Sequence, residues 1–426
     1  MFDVVIVGGG AAGFFAAIHI AEARPQLKIA ILERGKQVLT KVKVSGGGRC
    51  NVTHAQFNPA ELISNYPRGE KELLGPFHSY ATGDTVGFFE KRGISLKIEE
   101  DGRMFPTTDS SQTIIDCFTS EANRLGIGIH RICTVTGFEN ITSQKGDYWQ
   151  IITTKKTYKC KKLLVCTGSN PKIWDLLQSL GHTIVPPVPS LFTFNIEDER
   201  IKNIQGLSTH AEVAVLDKIK SRRNTSILQS EILSSEGPLL ITHWGMSGPA
   251  ILKLSAWGAR ILESYKYQFK IKVNWVPDYH PDGLLELFMK VKQVEKKTVL
   301  RTKVVDVPKR LWANLVRAAG IDDTLTWPDV SKLQLQELSQ QLTQCLFFVH
   351  GKSTFKEEFV TAGGVDLKEI NFRTFESKVL PNVYFAGEIL NIDAITGGFN
   401  FQNAWTGGFL AAQGIVNSID NTEKDG

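Results

Sequence analysis

Val4-Val5-Ile6-Val7 is a short, unbroken apolar run rich in β-branched residues, the pattern of a strand covered on both faces in a parallel sheet. Gly8-Gly9-Gly10-Ala11-Ala12-Gly13 follows at once, and apolar positions at Phe14, Ala17, Ile18 and Ala21 predict a helix ending before Pro25. Ile29-Ala30-Ile31-Leu32 reads as a second buried strand with Glu33 at its carboxyl end, which completes one β-α-β unit. Between Ile129 and Leu164 apolar and polar residues alternate, with breaks near Asn140 and Lys155, and three antiparallel strands are expected there. The segment closes on the buried run Leu163-Leu164-Val165-Cys166 and enters Thr167-Gly168-Ser169-Asn170-Pro171.

Pro186-Pro187-Val188-Pro189 marks a domain boundary, because prolines stop regular structure. Short strand-like runs fill about 190–275, and helical patterns follow from Pro281 to about Cys345, with Lys290, Lys292, Lys296 and Lys297 on a wet face. Val383-Tyr384-Phe385-Ala386-Gly387 reads as another buried strand, and a helix is expected from about Asn400 to Val416. The two chain ends therefore form one α/β layer interrupted by an inserted middle.

The 426 residues suffice for two or three domains, and 42% hydrophobic with 22% charged residues excludes a largely disordered chain. A net charge of +5, taken as spread over the chain, argues against a nucleic-acid footprint. No apolar stretch is long enough for a membrane-spanning helix, and the opening apolar segment lacks the basic start of a signal peptide and is broken by its glycines. The six cysteines include no C-x-x-C pair, as expected of reduced thiols in a cytoplasmic protein. Lys155, Lys156, Lys159, Lys161 and Lys162 read as a solvated sheet edge.

Gly8-x-Gly10-x-x-Gly13 gains force from its context: it follows a strand, opens a helix, and has Glu33 twenty positions after its last glycine. Gly8 permits the tight turn, Gly10 lets the backbone approach a diphosphate, and Gly13 allows close helix–strand packing. The helix N-terminus favours the anion, and Glu33 accepts from a ribose hydroxyl. FAD or NAD fits this unit. The choice falls on FAD because the chain adds a second glycine loop, Ser45-Gly46-Gly47-Gly48-Arg49-Cys50-Asn51, and a C-terminal turn, Thr396-Gly397-Gly398-Phe399-Asn400, opening a helix whose positive end suits a flavin ring. Metal-ligand spacing is absent.

The Ser45–Asn51 loop resembles the SGGGRCN signature of the aminoacetone-oxidase-like, or BaiN-like, FAD-dependent flavoproteins of the two-dinucleotide-binding-domain superfamily. The likeness continues at Arg103-Met104-Phe105-Pro106, at Thr242-His243-Trp244-Gly245-Met246-Ser247-Gly248-Pro249-Ala250, over Val360–Val365 and Thr374–Lys378, and from Phe385-Ala386-Gly387-Glu388 through Gly397-Gly398-Phe399-Asn400-Phe401-Gln402. It implies a Rossmann-like FAD-binding domain, 1–188 with 352–426, interrupted by an inserted β-barrel-like domain, 189–351, that carries a helical subdomain at about 280–345. It also implies the cofactor contacts: Gly8, Gly10, Ala11, Ala12 and Gly13 at the diphosphate, Glu33 and Arg34 at the ribose, and Val135 at adenine. Ser45, Gly46, Gly47, Arg49, Cys50 and Asn51 would lie beside the flavin, Thr167, Gly168, Gly387 and Glu388 would flank it, and Asn400 and Phe401 would cap the helix under the ring. Two departures stand out. Ser169-Asn170-Pro171 passes straight into Trp174, and Asn391 stands where relatives carry the first of two aspartates before a glycine.

Cys50 has no second cysteine nearby, so a packing role is favoured over a redox disulfide. His243 reads as a hydrogen-bonded structural histidine or as a proton donor, the former being preferred, and no acid or base is assigned. The expected function is hydride transfer between FAD and a small amine or enone-like substrate. Without a second strand–GxGxxG–helix unit, electrons come from that substrate or from NAD(P)H visiting transiently. A flavin-bound RNA-modifying or regulatory protein is the alternative. Oligomeric state is not legible.

Overall fold

The computed structural model describes residues 1–143, 146–216, 218–220, 226–228, 233–353 and 360–424. They divide into two compact units, Met1–Val188 with Lys356–Gly426, and Pro189–Phe355.

The first unit is built on a parallel sheet. Its strands are β1 (Phe2–Val7), β2 (Ile29–Leu32), β3 (Gly128–His130), β4 (Val135–Ile141), β5 (Tyr148–Thr153), β6 (Thr157–Val165) and β7 (Val383–Phe385). The order β7-β6-β1-β2-β3 is parallel throughout, with Val7 beside Leu32 on one side and Val165 on the other. Val4 to Leu32 match the expected unit because a strand covered on both faces leaves no position for a polar side chain. Between Ile129 and Leu164 the expected three-stranded meander is β4-β5-β6, joined antiparallel. Ile129 itself lies in β3, whose partner is β2 and whose pairing is parallel. The lysine-rich edge needs a correction: Lys162 is buried, its Nζ donating to Asn382 Oδ1 at 2.6 Å, because its strand turns inward at the point where it joins the parallel sheet.

The first helix, Ala11–Ala23, is apolar on nearly every side and buried accordingly. The last helix, Phe399–Lys424, packs along it, with the Phe15 and Trp405 rings 5.2 Å apart and the Trp405 Nε1–H donating to the Val52 carbonyl at 2.9 Å. Residues more than 380 apart in sequence thus share one core.

The second unit holds a seven-stranded antiparallel sheet in the order Cys345–Val349, Phe269–Asn274, Ser208–Val215, Ser234–Ile241, Gly245–Ser247, Thr193–Asn195, Gly351–Ser353. The two edge strands are separated in sequence by His350 alone, so the sheet curls back on itself as a barrel does. Helices Pro281–Val294, Lys309–Ala318 and Lys332–Thr343 close around Phe288, Trp312 and Trp327. No helix among the described residues is long and apolar enough to cross a membrane.

Candidate cofactor site

The carboxyl ends of β1, β6 and β7 open onto one place. Cys166 N–H donates to the Val7 carbonyl at 2.7 Å, and Ala386 N–H to the Val165 carbonyl at 3.3 Å, which sets Gly8, Thr167 and Gly387 side by side. A Cβ on Gly13 would lie 2.1 Å from the Gly8 carbonyl oxygen, so the close approach of helix and turn requires glycine there. A Cβ on Gly10 would meet nothing within 4 Å. Gly10 is therefore not demanded by the protein's own packing, and the space before it is an open cradle at a helix N-terminus whose first turn carries no acid.

Glu33 is fixed at the end of β2. One carboxylate oxygen accepts from Gly9 N–H at 2.9 Å and the other from Gly35 N–H at 2.6 Å, leaving a lone pair on each for ribose hydroxyls. Cys133 N–H donates to the Glu33 carbonyl at 2.8 Å, which carries the chain to Val135 beside it. Arg34 is exposed.

The second glycine loop follows directly on a short helix: Thr40–Gly48 loses helical geometry at Ser45, Gly46 and Gly47. Ser45 is tied back by its own hydroxyl, which donates to the Val42 carbonyl at 2.9 Å. Cys50 adopts a left-handed backbone (φ 64°), and burial pushes its thiol up to about 12, so it stays neutral and packs. All six cysteines are free. Arg49 turns to Glu99 at 2.5 Å and lies over the Phe105 ring, 4.0 Å from its centroid. Asn51 is the link to the chain's other end: with its amide oriented to satisfy both neighbours, it donates to the Thr53 carbonyl and accepts from Gly398 N–H, each at 3.0 Å.

Gly397 and Gly398 both adopt positive φ and lead into the last helix. Asn400 clamps the preceding segment from both sides, its amide accepting from Ala394 N–H and donating to the Ala394 carbonyl at 3.0 Å each. Phe401 stacks on Trp405. Arg68 grips the buried Asp393 through two parallel hydrogen bonds, so the aspartate that remains after Asn391 is an anchor for this segment. Lys41 pairs with Glu388, joining the short helix before the second loop to the residue after Gly387. Gly168 and Gly387 both sit at positive φ, and a Cβ on Gly168 would lie 3.5 Å from that carboxylate.

Two residues of the site, Asn403 and His54, are ones the sequence pattern does not single out. Asn403 lies in the second turn of the last helix, 1% exposed, with neither amide atom partnered within the described residues. Thr167 Oγ1 is also buried without a partner. His54 stacks on Phe399, ring centroids 4.6 Å apart, and burial lowers its pKa, keeping the ring neutral beside the positive helix end. The signal for Asn403 is present in Asn400-Phe401-Gln402-Asn403, where three amides crowd the start of a helix that cannot turn them all to water. His243 departs from the favoured reading: it is exposed in the turn between two strands, with no hydrogen-bond partner among the described residues, because that turn projects from the sheet.

An open glycine cradle, a fixed ribose acceptor, two orphaned buried polar groups and a helix N-terminus free of acids suit a dinucleotide that ends in a ring that takes up negative charge on reduction. The fold and site define an FAD-dependent oxidoreductase. Residues 2–414 match the family model described as HI0933-like protein Rossmann domain, and the chain belongs to that family, a group of FAD-dependent flavoproteins. It is 28% identical over 430 residues to the ribosomal RNA dihydrouridine synthase of Escherichia coli (strain K12), covering 97% of this chain and 98% of that one. It is 26% identical over 421 residues to the 3-dehydro-bile acid delta(4,6)-reductase of Clostridium scindens, again covering 97% and 98%. Among solved structures, a 3-ketosteroid-delta4-(5alpha)-dehydrogenase from Rhodococcus jostii RHA1 superposes with a TM-score of 0.50 at 12% identity, over 97% of this chain and 96% of that one.

Proposed function

We propose that the protein is an NAD(P)H-dependent reductase of a carbon–carbon double bond conjugated to a carbonyl. The observation that carries the flavin half of this reading is the convergence of both chain ends on one cradle, the Gly10 turn on one side and the Asn51–Gly398 link on the other. The substrate half is supported by the names of two full-length relatives, a dihydrouridine synthase and a delta(4,6)-reductase, since each denotes hydrogen added to such a bond. Bound FAD supplies two-electron hydride chemistry. Overall, NAD(P)H leaves as NAD(P)⁺, the carbon β to the carbonyl gains the hydride, and the α carbon gains a proton from water or an acid.

The chain's residues bind and orient. The turn from Gly8 to Gly13 would cradle the diphosphate, with the N–H groups from Gly10 onward free to donate to it since those of Gly8 and Gly9 are held by Leu32 and Glu33; Glu33 would accept from the ribose, and the segment at Val135 would border adenine. Ser45 to Asn51, Thr167, Gly168, Gly387 and Glu388 surround the ring end. The N–H groups of the last helix's first turn, which have no partner within the helix, favour negative charge on a reduced ring. Arg68–Asp393, Asn400–Ala394 and Asn51–Gly398 hold that helix end in place.

Anaerobic titration tests the reading. Purified protein is expected to carry or take up FAD, to bleach with NADH or NADPH, and to regain its colour with an enone or with uridine-containing RNA, one saturated product forming per flavin. A preparation that takes up no FAD, or reduced flavin that reacts only with oxygen, overturns it, and bleaching by amines alone would make the protein an amine oxidase.

A further inference from the structure

The net charge of +5 conceals a local excess. Between Lys290 and Arg317 stand nine lysines and arginines against two carboxylates, so the rest of the chain is slightly acidic. Lys290, Lys296, Lys297, Arg301, Lys309 and Arg310 are all exposed, and none makes an ion pair with a carboxylate among the described residues. They run along one continuous stretch: the end of the Pro281–Val294 helix, the connection through Val299–Arg301, and the start of the Lys309–Ala318 helix. The connection is held against the second helix, since Trp312 Nε1–H donates to the Val299 carbonyl at 3.1 Å.

Arg310 also lines a cleft of about 680 Å³ in the same unit, formed by one face of the Lys309–Ala318 helix and the segment Glu199–Ile204. Arg310, Ala313, Asn314 and Arg317 supply the helix wall, and Lys202 stands opposite. The carboxylates of the region are already engaged. Glu199 pairs with Lys202, Asp323 with Arg317 and Asp306 with Lys303, while Glu295 accepts from the backbone N–H groups of Lys296 and Lys297.

We propose that this face docks RNA, the strip Lys290–Arg310 tracking the phosphate backbone and the Arg310–Arg317 cleft receiving one phosphate. Unpaired cations strung over an extended strip are met by a chain of phosphates, whereas a small anion needs them converging on one point. The inference rests on the proposed reduction of a conjugated double bond, of which the uracil ring is an instance, and names the carrier of that ring.

A fluorescently labelled, uridine-rich RNA oligonucleotide measures it by anisotropy at several salt concentrations. If about four phosphates are engaged, affinity falls roughly 50-fold between 50 and 200 mM salt. The triple variant K296E/K297E/R310E, whose positions lie outside the cofactor cradle, is expected to lose at least tenfold in affinity and to flatten the logarithmic salt slope by about 2, with FAD content and bleaching by NAD(P)H unchanged. Equal RNA affinity in variant and parent overturns the proposal, as does an absence of RNA binding, or heparin binding as tightly as RNA. Retained turnover of a small enone alongside any of those results sinks the docking face and spares the reductase. RNA binding lost in the variant of a protein that takes up no FAD does the reverse.

Discussion

Gly10 and Gly13 stand three residues apart and are glycines for opposite reasons. The Gly13 position has no room inside the protein for a Cβ, whereas the Gly10 position has empty space. Gly10→Ala is therefore expected to leave the thermal stability of the apoprotein within about 1 kcal/mol of the parent while weakening FAD binding tenfold or more. Gly13→Ala should lower the stability of the apoprotein itself, so thermal melts with and without FAD separate the two. His19 makes a second case. Its ring sits among Phe15, Phe88 and Phe409, at 4.7, 5.3 and 5.0 Å, and burial lowers its pKa to about 4. The native state takes up this proton only near pH 4 and the unfolded chain near pH 6.5, so the unfolded state binds more protons in between. Stability should fall as pH drops from 6.5 towards 4, by up to about 3 kcal/mol from this residue. His19→Phe should remove that part of the acid loss in urea titrations, and an unchanged pH dependence would refute the assignment.

At the scale of elements, the last helix is aimed from outside itself. Asn400 clamps Ala394, Asn51 receives Gly398, and Arg68 holds Asp393. Removing one member of that buried pair, as in Asp393→Leu, leaves an uncompensated charge and is expected to cost about 3–5 kcal/mol, while Arg68→Met with Asp393→Leu should cost much less. Urea unfolding of the single and double variants measures the difference. The β1–turn–helix–β2 unit was legible because burial on both faces writes an unbroken apolar run. The Arg68–Asp393 and Asn51–Gly398 pairings were not, since partners more than 300 residues apart leave no local period to read. Nor does a net charge reveal a basic strip that acids elsewhere cancel, and the direction of Arg49 is decided by Glu99, fifty residues away.

Across the whole molecule, two compact units with separate cores predict two unfolding transitions in calorimetry. FAD should raise only the transition of the unit built from both chain ends, by about 2.7 kcal/mol at a hundredfold excess over Kd. A single transition, or two that shift together, would show the units to be energetically coupled.

That divided unit also shapes how the protein is made. When Val188 leaves the ribosome, β6 still lacks its neighbour β7 and the apolar first helix lacks the last helix that packs along it, because both partners are encoded after Phe355. At roughly 5–20 residues per second, translating the intervening stretch keeps that surface bare for on the order of ten to thirty seconds. The newborn amino-terminal half is thus a natural client for chaperones. A ribosome stalled within the insertion would release an aggregation-prone fragment in place of a smaller enzyme.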